Sequence, residues 1–217
     1  MELSTIIELL GTGAITSVQI FLFTLVGALP LGLLVSFGRM SKLLVLRWFV
    51  RLYISLMRGT PLILQLFIVY FGPYYVLGIQ MGADYRFTAT LIAFILNYAA
   101  YFSEIYRSGI ESMPRGQYEA ATVLGYSRTQ TFVRIIFPQV VKRIIPPMTN
   151  ETITLVKDTA LAFTLGVAEM FTQARAIVAS QGNLIAFLIA GIFYYGFNAV
   201  VAFIMERVEK AFAYYHE

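Results

Sequence analysis

The sequence predicts an all-α membrane protein: five transmembrane helices in one domain over residues 1–217, with a helical elbow on the cytoplasmic side. The N-terminus is expected outside and the C-terminus inside. Three observations predict this. Apolar residues fill 59% of the 217 positions and charged residues only 13%, against about 25% charged in a soluble domain. Five segments approach the roughly 20 mostly apolar residues that a helix needs to cross a bilayer. Lysine and arginine concentrate on alternate links between those segments, which fixes orientation.

The first span is expected at Ile15 to Phe37, a retained helix because no small-residue cleavage site follows a short apolar core. The second, Pro61 to Leu77, is entered through "RGTP" and ends around the break "FGP". The third is Thr88 to Ile105, the fourth Met148 to Val167, and the fifth Leu184 to Met205 with Asn198 as its main polar residue. Between spans one and two stand Arg39, Lys42, Arg47, Arg51 and Arg58. Between three and four stand Arg107, Arg115, Arg128, Arg134, Lys142 and Arg143, and beyond span five Arg207 and Lys210. The opposite side carries only Arg86 and Arg175, with Lys157 inside a span. Residues 168–181 read as helix too polar to span, either interfacial or re-entrant. An odd span count excludes two equal inverted repeats within the chain, so an enclosed pathway needs a second subunit.

Some chemistry is excluded at once. Cysteine is absent and the single histidine, His216, stands next to the C-terminus, which removes disulfides, thiolate metal sites and most Ser-His hydrolysis. No metal site is expected, and nothing points to nucleic acid. No GxxxxGK[ST] phosphate loop occurs, so the chain is expected to be a non-enzymatic subunit that does not hydrolyse ATP.

The second cytoplasmic link, about residues 108–144, is amphipathic. A helix is expected to start near Ser112 to Pro114 and to carry Tyr118, Ala121 and Leu124 at helical spacing. Gly125 would end it in a left-handed conformation. Ser127 with Gln130 forms a capping-box pattern for a second short helix, bearing Phe132, Ile135 and Ile136 and stopping at or before Pro138. Pro146 and Pro147 would then separate the elbow from span four. By its chemistry alone the elbow is either an interfacial element on anionic lipid or a knob for another protein.

The spacing Glu119-Ala120-Ala121, three residues, Gly125, nine residues, then Ile135-x-Phe137-Pro138 resembles the EAA loop of ABC-transporter import permeases. "RGTPLILQLF" from Arg58, "NYAAYFSEIYRSGIESMPRGQYEAA" from Asn97 and "NETITLVKDTALA" from Asn150 are similar to polar amino-acid uptake permeases of the histidine, arginine and glutamine type. The similarity covers about residues 55 to 165, the outer spans matching mainly in hydropathy. It departs at Ala160, where relatives often carry serine, so no hydroxyl role is assigned there. The resemblance implies that Glu119, Ala120, Ala121, Gly125, Ile135 and Pro138 couple to a separate ATPase. It further implies a dimer with an identical or related permease subunit, two ABC ATPase subunits that bind ATP and Mg, and an extracytoplasmic solute-binding protein. The setting would be a bacterial cytoplasmic (inner) membrane, and no cofactor is expected on this chain.

Span four is the polar one. Each acid or base at a helix centre costs about 2.5–3.5 kcal/mol on insertion scales, so Glu151, Lys157 and Asp158 must face protein, water or one another. At 100° per residue, Asn150, Glu151, Thr154, Lys157 and Asp158 share an arc of roughly 120°, with Ile153 and Val156 opposite. A Lys157 ion pair that fixes helix packing is one reading; a substrate path lined by Asn150, Glu151, Thr154 and Asp158 is the other. Gln65 and Asn97 could add hydrogen bonds to substrate or serve as interhelical glue. Tyr98 and Tyr101 could wall a pocket or simply pack. Glu104 and Arg107, at i and i+3, read as a local ion pair. Two carboxylates against one lysine leave one negative charge, which tilts the expected substrate towards arginine, lysine or histidine, with glutamine or glutamate the alternative. An intramembrane hydrolase lacks its nucleophile and base; an ion-coupled carrier or channel would not need a docking elbow.

Overall fold

The computed structural model describes residues 3–182 and 184–212, and the described residues are helical with no strand. His216 lies outside them. The first helix, α1, runs from Leu3 to Arg39. It therefore starts well before the expected Ile15, and at 1.5 Å per residue its length of about 55 Å exceeds the ~30 Å hydrocarbon core. Pro30 sits inside it, where lipid-phase helices tolerate proline because neighbouring groups re-satisfy the freed carbonyl.

The buried face of α1 is a row of small residues: Ser17, Thr24, Ala28, Gly32 and Ser36. It packs against α4 (Tyr85–Glu111), whose buried residues include Ala89, Ala93, Ala99, Ala100 and Ser103. Lipid tails are as apolar as leucine, so close backbone approach, not apolar burial, holds such a pair together. A β-carbon added at Gly32 would stand 2.9 Å from Phe102 Cβ and 3.0 Å from Ala99 O. The main core forms here, around Ile20, Phe21, Phe94, Tyr98, Phe102, Leu155 and Val156.

The link after α1 holds a helix where a plain connection was expected. This α2, Leu44–Gly59, turns by 113° into α3, Leu62–Leu77. Its exposed side carries Leu44, Trp48, Phe49 and Leu52. Its arginines, Arg47, Arg51 and Arg58, share another side within about 40° of helical arc. An apolar face beside a cationic one is the signature of a helix lying in the membrane interface.

The elbow departs from expectation at its prolines. Its first helix, α5, spans Arg115–Val123, and its second, α6, spans Arg128–Thr131. The helical path does not end there, nor at Pro138. A π turn, Phe132–Ile136, carries the chain on, the Phe137 N–H reaching back five residues to Phe132 O. The wider turn accommodates the proline, which falls in the first turn of α7, Phe137–Asp158. Nor do Pro146 and Pro147 separate the elbow from span four, since both lie inside α7.

A 3₁₀ segment, Thr159–Leu165, leads to α8, Met170–Gln181, set at 54° to the preceding helix. The final helix, α9, is Ile185–Phe212. Helices α1, α4 and α9 are each long and apolar enough to cross a membrane, and up to five spans result if each bent pair counts as one.

Candidate functional site

Two parts of the molecule expose the residues singled out above: the elbow and one face of α7. The elbow is made rigid by local bonds. At the end of α5, Gly125 adopts φ +80°, Tyr126 N donates to Ala121 O at 3.0 Å and Gly125 N to Thr122 O at 3.0 Å. These two bonds close the helix end in a Schellman turn that favours glycine. The expected capping box is present: Gln130 N donates to Ser127 Oγ at 3.2 Å and Ser127 N to Gln130 Oε1 at 2.9 Å.

The elbow is tied to the helices above it. Gln117 and Gln139 exchange amide hydrogen bonds of 2.8 Å each way, and Arg143 Nη1 donates to Ser112 O at 2.9 Å. Met113, Ile136, Val140 and Ile144 form a small core under it. Of the six expected coupling residues, Glu119, Ala120, Gly125 and Pro138 are exposed, whereas Ala121 is buried and Ile135 is half-buried on that core. Val123 and Leu124 add an apolar tip, 88% and 73% exposed. Leu124 thus points away from the face that holds Ala121.

The polar stripe of α7 is equally legible. Thr152, Leu155 and Val156 are buried in the chain, while Asn150, Thr154 and Lys157 are exposed and Glu151 and Asp158 half-buried. The helix therefore packs its apolar side against its own subunit and leaves Asn150, Thr154 and Lys157 open, with Glu151 and Asp158 partly covered beside them. Tyr98 OH donates to Asp158 Oδ2 at 2.7 Å, and Thr154 Oγ1 donates back to Asn150 O at 3.0 Å. Among the described residues Lys157 and Asp158 form no salt bridge; the partner of Asp158 is the tyrosine. Tyr98 is buried, with its ring 6.4 Å from Phe94 and 6.3 Å from Tyr101.

Gln65 and Asn97 meet each other. Asn97 Nδ2 donates to Gln65 Oε1 at 3.0 Å and to Met57 O at 3.1 Å. Gln65 Nε2 donates to Met57 O at 2.9 Å and Thr60 O at 3.1 Å. The two amides thus clamp the α2–α3 break, and both are buried. Glu104 and Arg107 form the expected pair, Arg107 donating from Nε at 3.1 Å and Nη2 at 2.7 Å. Arg39 and Arg58 stand 3.9 and 4.0 Å from the same carboxylate, and Arg107 also bridges Glu111.

Sequence reasoning missed two residues. Arg58 counted only towards orientation, although it stands in "RGTP" next to the break. Glu169 went unremarked, although a lone acid directly before a helix is an N-terminal signal. It is fully buried and caps α8 through Phe171 N at 2.8 Å and Thr172 N at 2.6 Å. Among the described residues no group of three or more histidines, cysteines or acids could hold a metal ion.

A polar helix face left open within an apolar chain needs another chain or water to complete it, and a rigid knob on a different side needs something to grip it. Together they define a class: the membrane subunit of a multi-chain transporter. The chain belongs to the family described as binding-protein-dependent transport system inner membrane component, whose model matches residues 28–214.

The probable amino-acid ABC transporter permease protein YckA of Bacillus subtilis is 41% identical over 187 residues, covering 85% of this chain and 80% of that protein. The L-cystine transport system permease protein TcyB of the same organism is 36% identical, covering 93% of this chain and 83% of that one. The arginine transport system permease protein ArtQ, also from B. subtilis, is 37% identical, covering 91% and 90%. A crystal structure of an amino acid ABC transporter with histidines superposes with a TM-score of 0.86 at 27% identity, covering 97% of this chain and 99% of that one. An inward-facing MetNI methionine ABC transporter shares the fold, with a TM-score of 0.75 at 18% identity over 98% and 100% of the two chains. The resemblance read from the EAA-like loop is borne out by this family membership.

Proposed function

We propose that this chain is the permease subunit of an ATP-driven importer for polar amino acids, with basic ones preferred. One observation carries the reading: α7 buries Leu155 and Val156 but leaves Asn150 and Thr154 exposed and Glu151 and Asp158 half-exposed along one side. In hydrocarbon that face would oppose insertion, at about 2.5–3.5 kcal/mol for each central charge. Placed against the same face of a second permease subunit, identical or related, it becomes the wall of a polar path. The chain then has five spans, N-terminus outside, in a bacterial cytoplasmic membrane, with α2 lying among the lipid headgroups.

The elbow is the handle for a separate ATPase, which binds the ATP and Mg. Glu119, Ala120, Gly125, Pro138 and the apolar tip at Val123 and Leu124 meet that partner, while Ala121 and Ile135 pass its motion into the core above. An extracytoplasmic solute-binding protein delivers the amino acid, and the two elbows moving together switch the path between its faces. Relatives named for cystine and for arginine fit an amino-acid substrate. The preference for basic substrates rests on the surplus carboxylate beside Lys157, and a glutamine or glutamate importer is the second reading.

Uptake of labelled arginine, lysine, histidine, glutamine, glutamate and cystine into liposomes holding the reconstituted complex tests this. Basic substrates should lead, and Glu151→Gln or Asp158→Asn should weaken that lead. Equal transport of neutral and basic substrates by all three proteins would reject the charge argument. In the same liposomes Gly125→Val, forced into a left-handed conformation costing about 1–2 kcal/mol, should hydrolyse ATP without matching uptake. Normal coupling in that variant would count against the elbow, and transport by the isolated subunit would count against the whole reading.

A further inference from the structure

Arg58 is the cation that the polar path has not yet used. It lies in the last turn of α2 with its side chain 45% exposed, and its guanidinium sits 5.2 Å over the Tyr101 ring. The one acid paired with it among the described residues, Glu104, is already taken. Arg107 holds both oxygens of Glu104 at 3.1 and 2.7 Å, whereas Arg58 stands 4.0 Å away, beyond the roughly 2.7–2.9 Å of a charge-assisted hydrogen bond. Among the described residues Arg58 makes no hydrogen bond, so its donor fork is open.

The fork is also held in place. Gln65 and Asn97 both donate to Met57 O, and Gln65 donates to Thr60 O as well. The backbone is thereby pinned immediately before and shortly after Arg58. The guanidinium stands over the Tyr101 ring, which lies 6.3 Å from that of Tyr98, the donor to Asp158 at 2.7 Å. Glu151, two turns before Asp158, shares its side of α7. One face of the subunit therefore offers an open, planar cation and two carboxylates. That set matches a zwitterion: a planar fork takes a carboxylate in two parallel bonds, and the acids take an ammonium or a cationic side chain.

We propose that Arg58 receives the α-carboxylate of the transported amino acid, so that the path reads a free carboxylate as well as a positive end. Gln65 and Asn97 act as positioning residues for it, in place of touching substrate themselves. The inference rests on the path reading of α7.

The test is equilibrium binding to the purified permease–ATPase complex in nanodiscs, without the binding protein. The probes are labelled L-arginine and L-glutamine, set against their decarboxylated amines, agmatine and 4-aminobutanamide. Arg58→Gln should weaken the bound amino acid at least tenfold while leaving its amine within twofold. Arg58→Lys, which keeps the charge but not the fork, should fall between wild type and Arg58→Gln, and it decides the matter if Arg58→Gln fails to assemble. Equal losses for acid and amine, or no loss for the acid, overturn the role of Arg58. If Glu151→Gln weakens binding while the Arg58 variants do not, the path stands and Arg58 falls. If wild type binds neither amino acid, or Glu151→Gln and Asp158→Asn leave binding unchanged, the path reading fails and takes this inference with it.

Discussion

Glu169 and the pair Glu151–Asp158 are carboxylates in the same apolar chain, put to opposite uses. Glu169 is fully buried and receives Phe171 N, Thr172 N and Thr172 Oγ1 from α8, Tyr194 OH from α9 at 3.0 Å, and Ser17 Oγ from α1 at 3.4 Å. A carboxylate has about four lone-pair sites, so Glu169 has no capacity left for a ligand. It pins three helices together. Asp158 receives only Tyr98, and Glu151 receives no hydrogen bond among the described residues. Both are half-exposed. Burial alone therefore does not mark a working acid in a membrane protein; unspent acceptor capacity on an open face does.

Glu169→Ala should separate the two most sharply. It removes an acceptor from several buried donors at once, and each orphaned group costs about 1–3 kcal/mol. The combined loss should exceed about 3 kcal/mol, a fall of roughly 6–12 °C in melting midpoint for a chain of this size. Thermal melting of the purified complex measures it. A midpoint within about 2 °C of wild type would mean that Glu169 is not a pin, and the contrast would dissolve.

Tyr194→Phe sharpens the same point with one atom. The ring stays, packed against the cluster of Ile6, Leu10, Met170 and Ala186 as well as the main core, and a single donor to Glu169 goes. A net loss of about 1 kcal/mol is expected, a drop of roughly 2–4 °C. A fall as large as that of Glu169→Ala would show that the tyrosine contact carries the network and the helix cap very little.

Much of this was legible in the sequence, for identifiable reasons. Hydropathy located α1, α3, α4, α7 and α9, though not α2 or the start of α1, because lipid demands a long apolar stretch from a helix that crosses it. Gly125 and the Ser127–Gln130 pair were readable because turns and caps are local chemistry. The α7 stripe was readable from period alone. Pro138 misled, since the rule that proline ends a helix assumes a regular α ladder, and the π turn at Phe132–Ile136 escapes it. The meeting of Gln65 with Asn97, 32 residues apart, depends on how α3 packs against α4, which no local pattern encodes. Arg58 was hidden by its second meaning as an orientation marker. Glu169 was hidden because its donors come from three separate helices.

The smallest effect on stability should come from Glu151→Gln. The substitution keeps shape, removes a charge, and takes no hydrogen bond from any described neighbour. Changes at open positions usually stay within about 0.5 kcal/mol, so the melting midpoint should move by no more than about 1–2 °C. Uptake by the same variant should nevertheless fall for cationic substrates. A residue that holds helices loses stability and function together, while one that waits for a ligand loses function alone. If Glu151→Gln melts as early as Glu169→Ala, Glu151 is a structural acid whose partner lies in the second subunit, and the open face of α7 is an assembly seam and not a path.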